Sequence, residues 1–242
     1  MDLSRGVWEC PPLSNAPSQV WHSICSVGDG SAMMFGGDGK APKLHALDTA
    51  NVVWYPPEVE GRAPAVRSGH SFTTVGNVCV LFGGLRDGKW RGDVAALHAQ
   101  TFQWSRPKIV GEVPAPRCYH GAVALDASRL LILCGNDEAE SFNDVCVLET
   151  SPAGGSKPWV WSKPVCAGPK PCRRTGISAT QIAPSLVLVI GGWDPESEDE
   201  AADPFGDAHI LDTDAMQWHK IRLSAEMQHA CQRTGHVAVF LP

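Results

Sequence analysis

The chain has 242 residues, of which 43% are hydrophobic and 19% charged, and its formal net charge is −6. Length and apolar fraction suit one folded domain with a sizeable core and exclude a disordered chain. The acidic balance, without any basic run, excludes the electrostatic footprint of a nucleic-acid binder or of a protein adsorbed to anionic membranes. Gly (24) and Pro (19) are abundant but form no low-complexity tract, so they are expected in tight turns between many short strands.

In chain order, Met1–Trp8 holds no apolar h-region, so no signal peptide is expected. Trp8 reads as an outer strand over about 5–10 without inner strands before it. Four units then follow, over about 20–54, 66–104, 116–161 and 173–218. Each opens near Arg-x-Gly-His: Arg67-Ser68-Gly69-His70 is a full copy, Arg117-Cys118-Tyr119-His120 and Arg174-Thr175-Gly176-Ile177 are degraded, and Val20-Trp21-His22 keeps only the His. An apolar run ending in glycines comes next, at Gly36-Gly37, Gly83-Gly84 and Gly191-Gly192. Leu133-Cys134-Gly135-Asn136 reads as a variant with Asn for the second Gly. A short strand follows (Leu44–Asp48, Asp93–Leu97, Asp144–Leu148, Ala208–Asp212), and then an isolated Trp: Trp54, Trp104, Trp161 or Trp218. Arg233-Thr234-Gly235-His236 opens a fifth unit, read as an inner strand over about 233–241. The longest apolar run, Ser185–Ile190, has strand length and cannot span a bilayer.

Trp8, Trp54, Trp104, Trp161 and Trp218 follow one another at 46, 50, 57 and 57 residues. Four short strands per unit at that period predict the blades of an all-β propeller. In order and spacing these landmarks resemble the kelch family over nearly the whole chain. The resemblance implies a kelch-type β-propeller with four complete four-stranded blades and two orphan terminal strands. Either the chain is a piece of a longer kelch protein, commonly of six or seven blades, or it closes as a five-bladed ring with a rebuilt last blade; the first is the preferred expectation. The repeated Gly and Trp residues are accounted for by the fold, the glycines by close approach or positive φ, the tryptophans by cover between blades.

Nine cysteines, several inside apolar runs (Cys79, Cys134, Cys146), read as reduced thiols of a cytoplasmic protein rather than a disulfide framework. No C-x-x-C pair suggests structural zinc, and no metal or other cofactor is expected. His70, His120, His236 and His22 share one repeat position, which assigns them to the fold. A metal-dependent oxidase or a sugar-mutarotase-like kelch enzyme is the alternative from another class. The oxidase resemblance requires two Tyr and two His ligands, one Tyr cross-linked to Cys; only Tyr55 and Tyr119 exist, and Cys118 and Tyr119 are adjacent, so they face opposite ways on a strand. The iron pattern of plant specifier proteins begins at Glu140 and Asp144 but meets Leu148 where His is required. No catalytic residue is assigned. The acidic stretch 196–203 reads as a solvated loop or a contact for a basic partner.

The expected function is a protein-interaction scaffold. Arg67, Arg117, Arg174 and Arg233 open inner strands and would form a ring on one face. In kelch adaptors that read acidic peptides, arginines at comparable positions contact carboxylates, so the resemblance implies that role for these four. Trp21, in place of a Gly, would be an exposed anchor. The expected partner is a protein, its docked part an acidic peptide or loop, with no nucleic acid and no membrane.

Overall fold

The computed structural model describes residues 15–28, 30–38, 44–151, 157–197 and 203–241. The orphan strand expected at 5–10, Trp8 and residues 198–202 of the acidic stretch lie outside them. Nearly all regular structure is β, in four antiparallel sheets that follow one another along the chain. Blade 1 is β1 (His22–Gly28), β2 (Ser31–Gly36), β3 (Leu44–Asp48) and β4 (Val53–Tyr55). Blade 2 is β5 (Ser71–Val75), β6 (Val78–Phe82), β9 (Val94–His98) and β10 (Trp104–Ser105), and carries a small hairpin of β7 (Leu85–Arg86) and β8 (Lys89–Trp90). Blade 3 is β12 (Gly121–Ala124), β13 (Arg129–Leu133), β14 (Val145–Glu149) and β15 (Trp159–Ser162). Blade 4 is β16 (Ser178–Ala183), β17 (Leu186–Ile190), β18 (Ala208–Asp212) and β19 (Gln217–Ile221). Blade 3 gains a fifth strand, β11 (Ile109–Gly111), parallel to β15.

The core lies between blades. One cluster joins blades 1 and 2 around Phe35, Phe72 and Trp104, with the Phe35 and Trp104 rings 5.1 Å apart. A second joins blades 2 and 3 around Phe82 and Trp161, 5.2 Å apart. A third joins blades 3 and 4 around Leu133, Val187 and Trp218. Trp104, Trp161 and Trp218 lie on outer strands, and burying the large apolar face of each against the preceding blade drives the stacking. Trp161 and Trp218 are 1% exposed and Trp104 4%.

Innermost strands of neighbouring blades touch through side chains rather than a ladder. The Phe72 amide donates to Ser23 Oγ (3.0 Å), and Thr74 Oγ1 donates to the Ser26 carbonyl (2.6 Å). Past blade 4, Ala238 repeats this: its amide donates to Ser178 Oγ (2.8 Å) and its carbonyl accepts from Thr180 Oγ1 (2.7 Å). Residues 233–241 thus sit beside β16 where a fifth innermost strand belongs, but they are not a strand. A strand needs a ladder partner, and the described residues supply none. A helix absent from the sequence reading, α1 (Ala225–Cys231), precedes them, with Ser224 Oγ accepting from the Met227 amide at 3.2 Å as its N-cap.

Candidate functional site

One turn recurs at the start of every unit, and it builds the face on which the candidate site lies. Trp21, Gly69, Tyr119, Gly176 and Gly235 occupy the same place in it. All five have positive φ, at 60°, 63°, 51°, 66° and 65°. Backbone hydrogen bonds link them in an arc: Gly69 N to Trp21 O (3.4 Å), Tyr119 N to Gly69 O (2.8 Å), Gly176 N to Tyr119 O (2.9 Å) and Gly235 N to Gly176 O (2.9 Å). Glycine meets this conformation without penalty. A side chain there costs about 1–2 kcal/mol.

Two of the five positions carry aromatic residues despite that cost. The Trp21 and Tyr119 rings meet edge to face at 5.7 Å, the Tyr119 ring lying over Gly69, where a Cβ would stand 2.8 Å from it. With Trp193, Asn136, Thr175 and Pro195 they line a cavity of about 370 Å³. Trp21 at the start of the arc and Gly235 at its end both border this cavity, so the arc curves round one opening. Trp21 is 59% exposed and Trp193 41%. The Asn136 carboxamide is fixed by the Thr175 hydroxyl, which donates to its Oδ1 at 2.8 Å. The result is an aromatic cup with a small polar wall. Strained, exposed rings converging on one cavity mark a place where binding outweighs stability.

The arginines expected to form a ring on one face do not line this cup. Arg67, Arg117 and Arg174 do not form a ring open to a partner's carboxylates; they are 4%, 0% and 0% exposed. Each grips an Asp of its own blade with two nitrogens: Arg67 to Asp93 (2.5 and 3.1 Å), Arg117 to Asp144 (2.6 and 3.0 Å), Arg174 to Asp207 (2.5 and 3.1 Å). Each also donates to the carbonyl that ends the second strand (Gly83, Cys134, Gly191; 3.0–3.1 Å) and to its own loop (Ala65, Ala115, Cys172). Phe142 stacks under Arg117 at 4.1 Å and Phe205 under Arg174 at 4.0 Å. Burial would raise the Asp144 carboxyl, but the hydrogen bonds and charge of Arg117, with Lys163 beside it, hold it down at about 2. Asp93 and Asp207 are lowered through the same opposition. Four of the five N–H donors of each guanidinium are used inside its own blade, so these buried side chains have no two-pronged grip left for a partner's carboxylate. Arg233 is exposed, and nothing among the described residues clamps it.

Blade 3 departs from the glycine pair differently from the sequence reading. Cys134, not Asn136, is the replacement: it takes the first-glycine place with φ 60°, matching Gly36, Gly83 and Gly191, while Gly135 matches Gly37, Gly84 and Gly192. Asn136 is thereby freed to face the cup. At Gly83 and Gly191 a Cβ would stand 2.9 Å from Cε1 of the next blade's histidine, His120 or His236, and at Gly36 it would run into His70. After Cys134 the equivalent histidine is Ile177, and both join the core of blades 3 and 4. The two departures are one packing change. The histidines stay neutral: burial, then the charge of Arg67, pushes His70 down to about 4, and burial, then Arg117, pushes His120 down to about 3. His120 Nε2 lies 2.9 Å from Ser71 Oγ. His22 is exposed, with Nδ1 3.1 Å from the Gln19 carbonyl.

Two signals escaped the sequence reading. One is the clamp aspartate, at a variable distance from its arginine. The other is Gly-x-x-Pro-x-x-Arg (Gly61-x-x-Pro64-x-x-Arg67, Gly111-x-x-Pro114-x-x-Arg117, Gly168-x-x-Pro171-x-x-Arg174). Here the linker lies parallel to the outer strand of the blade it enters, and a Cβ on any of the three glycines would run into the Trp104, Trp161 or Trp218 carbonyl. Of the remaining candidates, Cys118 is buried, with its Sγ donating to Asn136 Oδ1 (3.6 Å), and Glu196 is exposed beyond Trp193. The eight described cysteines are free thiols.

Stacked four-stranded blades, three of them locked by a strand-opening arginine, with a cup built by the turns that open the innermost strands, define a β-propeller of the kelch kind. The chain belongs to the kelch-repeat family: the family described as the KLHDC2/KLHL20/DRC7 Kelch-repeats domain matches residues 1–159. It is 30% identical over 203 residues to the dynein alpha chain of the flagellar outer arm of Chlamydomonas reinhardtii (79% of this chain, 4% of that one). It is 28% identical over 196 residues to acyl-CoA-binding domain-containing protein 4 of Arabidopsis thaliana (78% and 27%), and 29% identical over 270 residues to host cell factor of Drosophila melanogaster (96% and 17%). The chain therefore spans about a quarter or less of the length of these relatives. Among the described residues no helix is long and apolar enough to cross a membrane.

Proposed function

We propose that the chain is a protein-interaction module that docks its partner in the aromatic cup formed by the arc of turns. The observation that carries this is the pair Trp21 and Tyr119, held at positive φ where blades 2 and 4 have glycine, and converging with exposed Trp193 on one cavity. Amphipathic rings of this kind supply anchoring area at low conformational cost. Membership of a family whose relatives include host cell factor supports the interaction reading, as does the rigid frame behind the turns. The acidic-peptide version is not renewed on Arg67, Arg117 and Arg174, because they are buried and four of the five donors of each are used inside the blade. A cytoplasmic setting is consistent with the free thiols.

The test is affinity capture with quantitative mass spectrometry. Trp21→Gly restores the residue type of Gly69 and Gly176, and Trp193→Ala opens the other wall. Partners held by the native chain should fall at least about tenfold with the double variant, while melting holds or rises, because Trp21→Gly relieves the positive-φ strain. An unaltered partner set would refute the cup as the docking place.

A further inference from the structure

Blade 2 breaks the repeat around its own clamp. Blades 3 and 4 cover the clamp arginine with Phe142 and Phe205; blade 2 has Arg91 at that place. The register is secure, because the Arg91, Phe142 and Phe205 amides all donate to the second glycine of their blade (Gly84, Gly135, Gly192; 2.7–2.8 Å). The linker adds Arg62 where blades 3 and 4 have Glu112 and Pro169. Arg106 holds the cation position shared with Lys163 and Lys220 and lies 3.2 Å from Asp93. The clamps of blades 3 and 4 have a ring over the arginine and border cavities of about 290 and 380 Å³, whereas this one has no ring and opens on a larger cavity of about 640 Å³. Its clamp carboxylate, Asp93, is 38% exposed, against 13% for Asp144 and 21% for Asp207.

The charge balance of this cavity is the reverse of the whole chain. Four guanidiniums line it, from Arg62, Arg67, Arg91 and Arg106, and one carboxylate, Asp93. Asp93 is already shared between Arg67 and Arg106. Among the described residues Arg62 and Arg91 have no ion pair. Three positive charges in excess, on planar forks around one opening, call for a compact multivalent anion. A carboxylate would neutralise one of them. A phosphate dianion offers three oxygens to several guanidiniums at once. The net charge of −6 disfavours an extended polyanion and leaves a single phosphate group as the fitting occupant.

We propose that this cavity, apart from the cup, is an oxyanion site that takes a phosphate group, with Arg62 and Arg91 as its ligands and Arg106 as the third cation. The group could be borne on a partner's phosphorylated side chain or arrive as free phosphate, and the experiment separates these sources. Inorganic phosphate, the peptide Ac-Gly-Ser-pSer-Ser-Gly-NH2 and its unphosphorylated form are titrated into the full chain at constant ionic strength set with sodium chloride. Thermal melting and the arginine Nε–Hε resonances in ¹⁵N NMR are the readouts. Saturable binding of phosphate with a midpoint of about 1 mM or below is expected, with none for the unphosphorylated peptide. A midpoint for the phosphopeptide at least about tenfold lower than for phosphate identifies a phosphorylated partner, and equal midpoints identify the free anion; both support the site. Arg62→Ala and Arg91→Phe should each weaken binding at least about tenfold. Arg91→Phe installs the covering ring of blades 3 and 4, so melting in chloride alone should hold or rise, which separates loss of binding from loss of fold. No saturable response up to about 20 mM, or a response that both variants leave intact, overturns the proposal.

Discussion

Arg117 is a fully enclosed cation held by a carboxylate, two carbonyls and a phenyl ring. Removing one partner of such a pair strands a buried charge, which costs about 3–5 kcal/mol. Arg117→Ala and Asp144→Asn should therefore each lower stability by that order in urea unfolding. Arg233→Ala, with an exposed side chain, should change it by about 0.5 kcal/mol or less. The buried histidines, like the clamp carboxylates, lose stability on acidification, but they do so at higher pH. His70 titrates near 4 when folded and near its ordinary 6.5 when unfolded, so below 6.5 the unfolded chain binds more protons. Stability falls as pH drops through that window, by about 2 kcal/mol at pH 5 for His70, and His120 acts in the same direction. The loss from Asp144 comes at lower pH, starting as pH falls through the ordinary carboxylate value of 3.8 and complete near its folded value of about 2. Melting against pH should show two stages, and His120→Gln should flatten the upper one. Cys134 and Ile177 offer a cycle: Ile177→His alone should cost about 1–3 kcal/mol by overpacking, and adding Cys134→Gly should recover about 1 kcal/mol or more of it. Strict additivity would show that the two positions are not one packing change.

At the scale of elements, the blades were legible because each carries its own turn chemistry and a tryptophan at a near-constant period. Paired glycines, the short third strand and the Trp each mark a boundary that local physics enforces. The clamp was half legible. Arginines at the strand starts were visible, but the distance to the aspartate is 26, 27 and 33 residues, since loops of different length intervene. Without the carboxylate in view, a repeated arginine reads as an open ligand rather than a buried strut. The shift from Asn136 to Cys134 was hidden for a similar reason: only φ tells which glycine of a degenerate pair is missing. The linker edge is testable on its own. Gly111→Ala adds a Cβ against the Trp161 carbonyl at a φ of 91°. It should cost about 1–3 kcal/mol in thermal unfolding, whereas Gly88→Ala, in open space, should cost only its backbone strain of about 1 kcal/mol.

For the whole molecule, the division of labour is what the structure changes. Guanidiniums hold blades, tryptophans of the outer strands fill the spaces between them, and aromatic residues at the arc of turns are left for a partner. Trp21 was visible in the sequence as a misfit in its repeat. Tyr119 and Trp193 were not, because only the curvature of the arc brings residues from three blades to one cavity. Hydroxyl-radical footprinting with and without a captured partner tests this most directly, since it reads the exposure of individual side chains. Binding should protect Trp21, Trp193 and Tyr119 together, while Tyr55 on the outer strand of blade 1 and Met227 on α1, both exposed in the free chain, keep their reactivity. Protection of Tyr55 or Met227 with Trp21 and Trp193 unchanged would contradict the account.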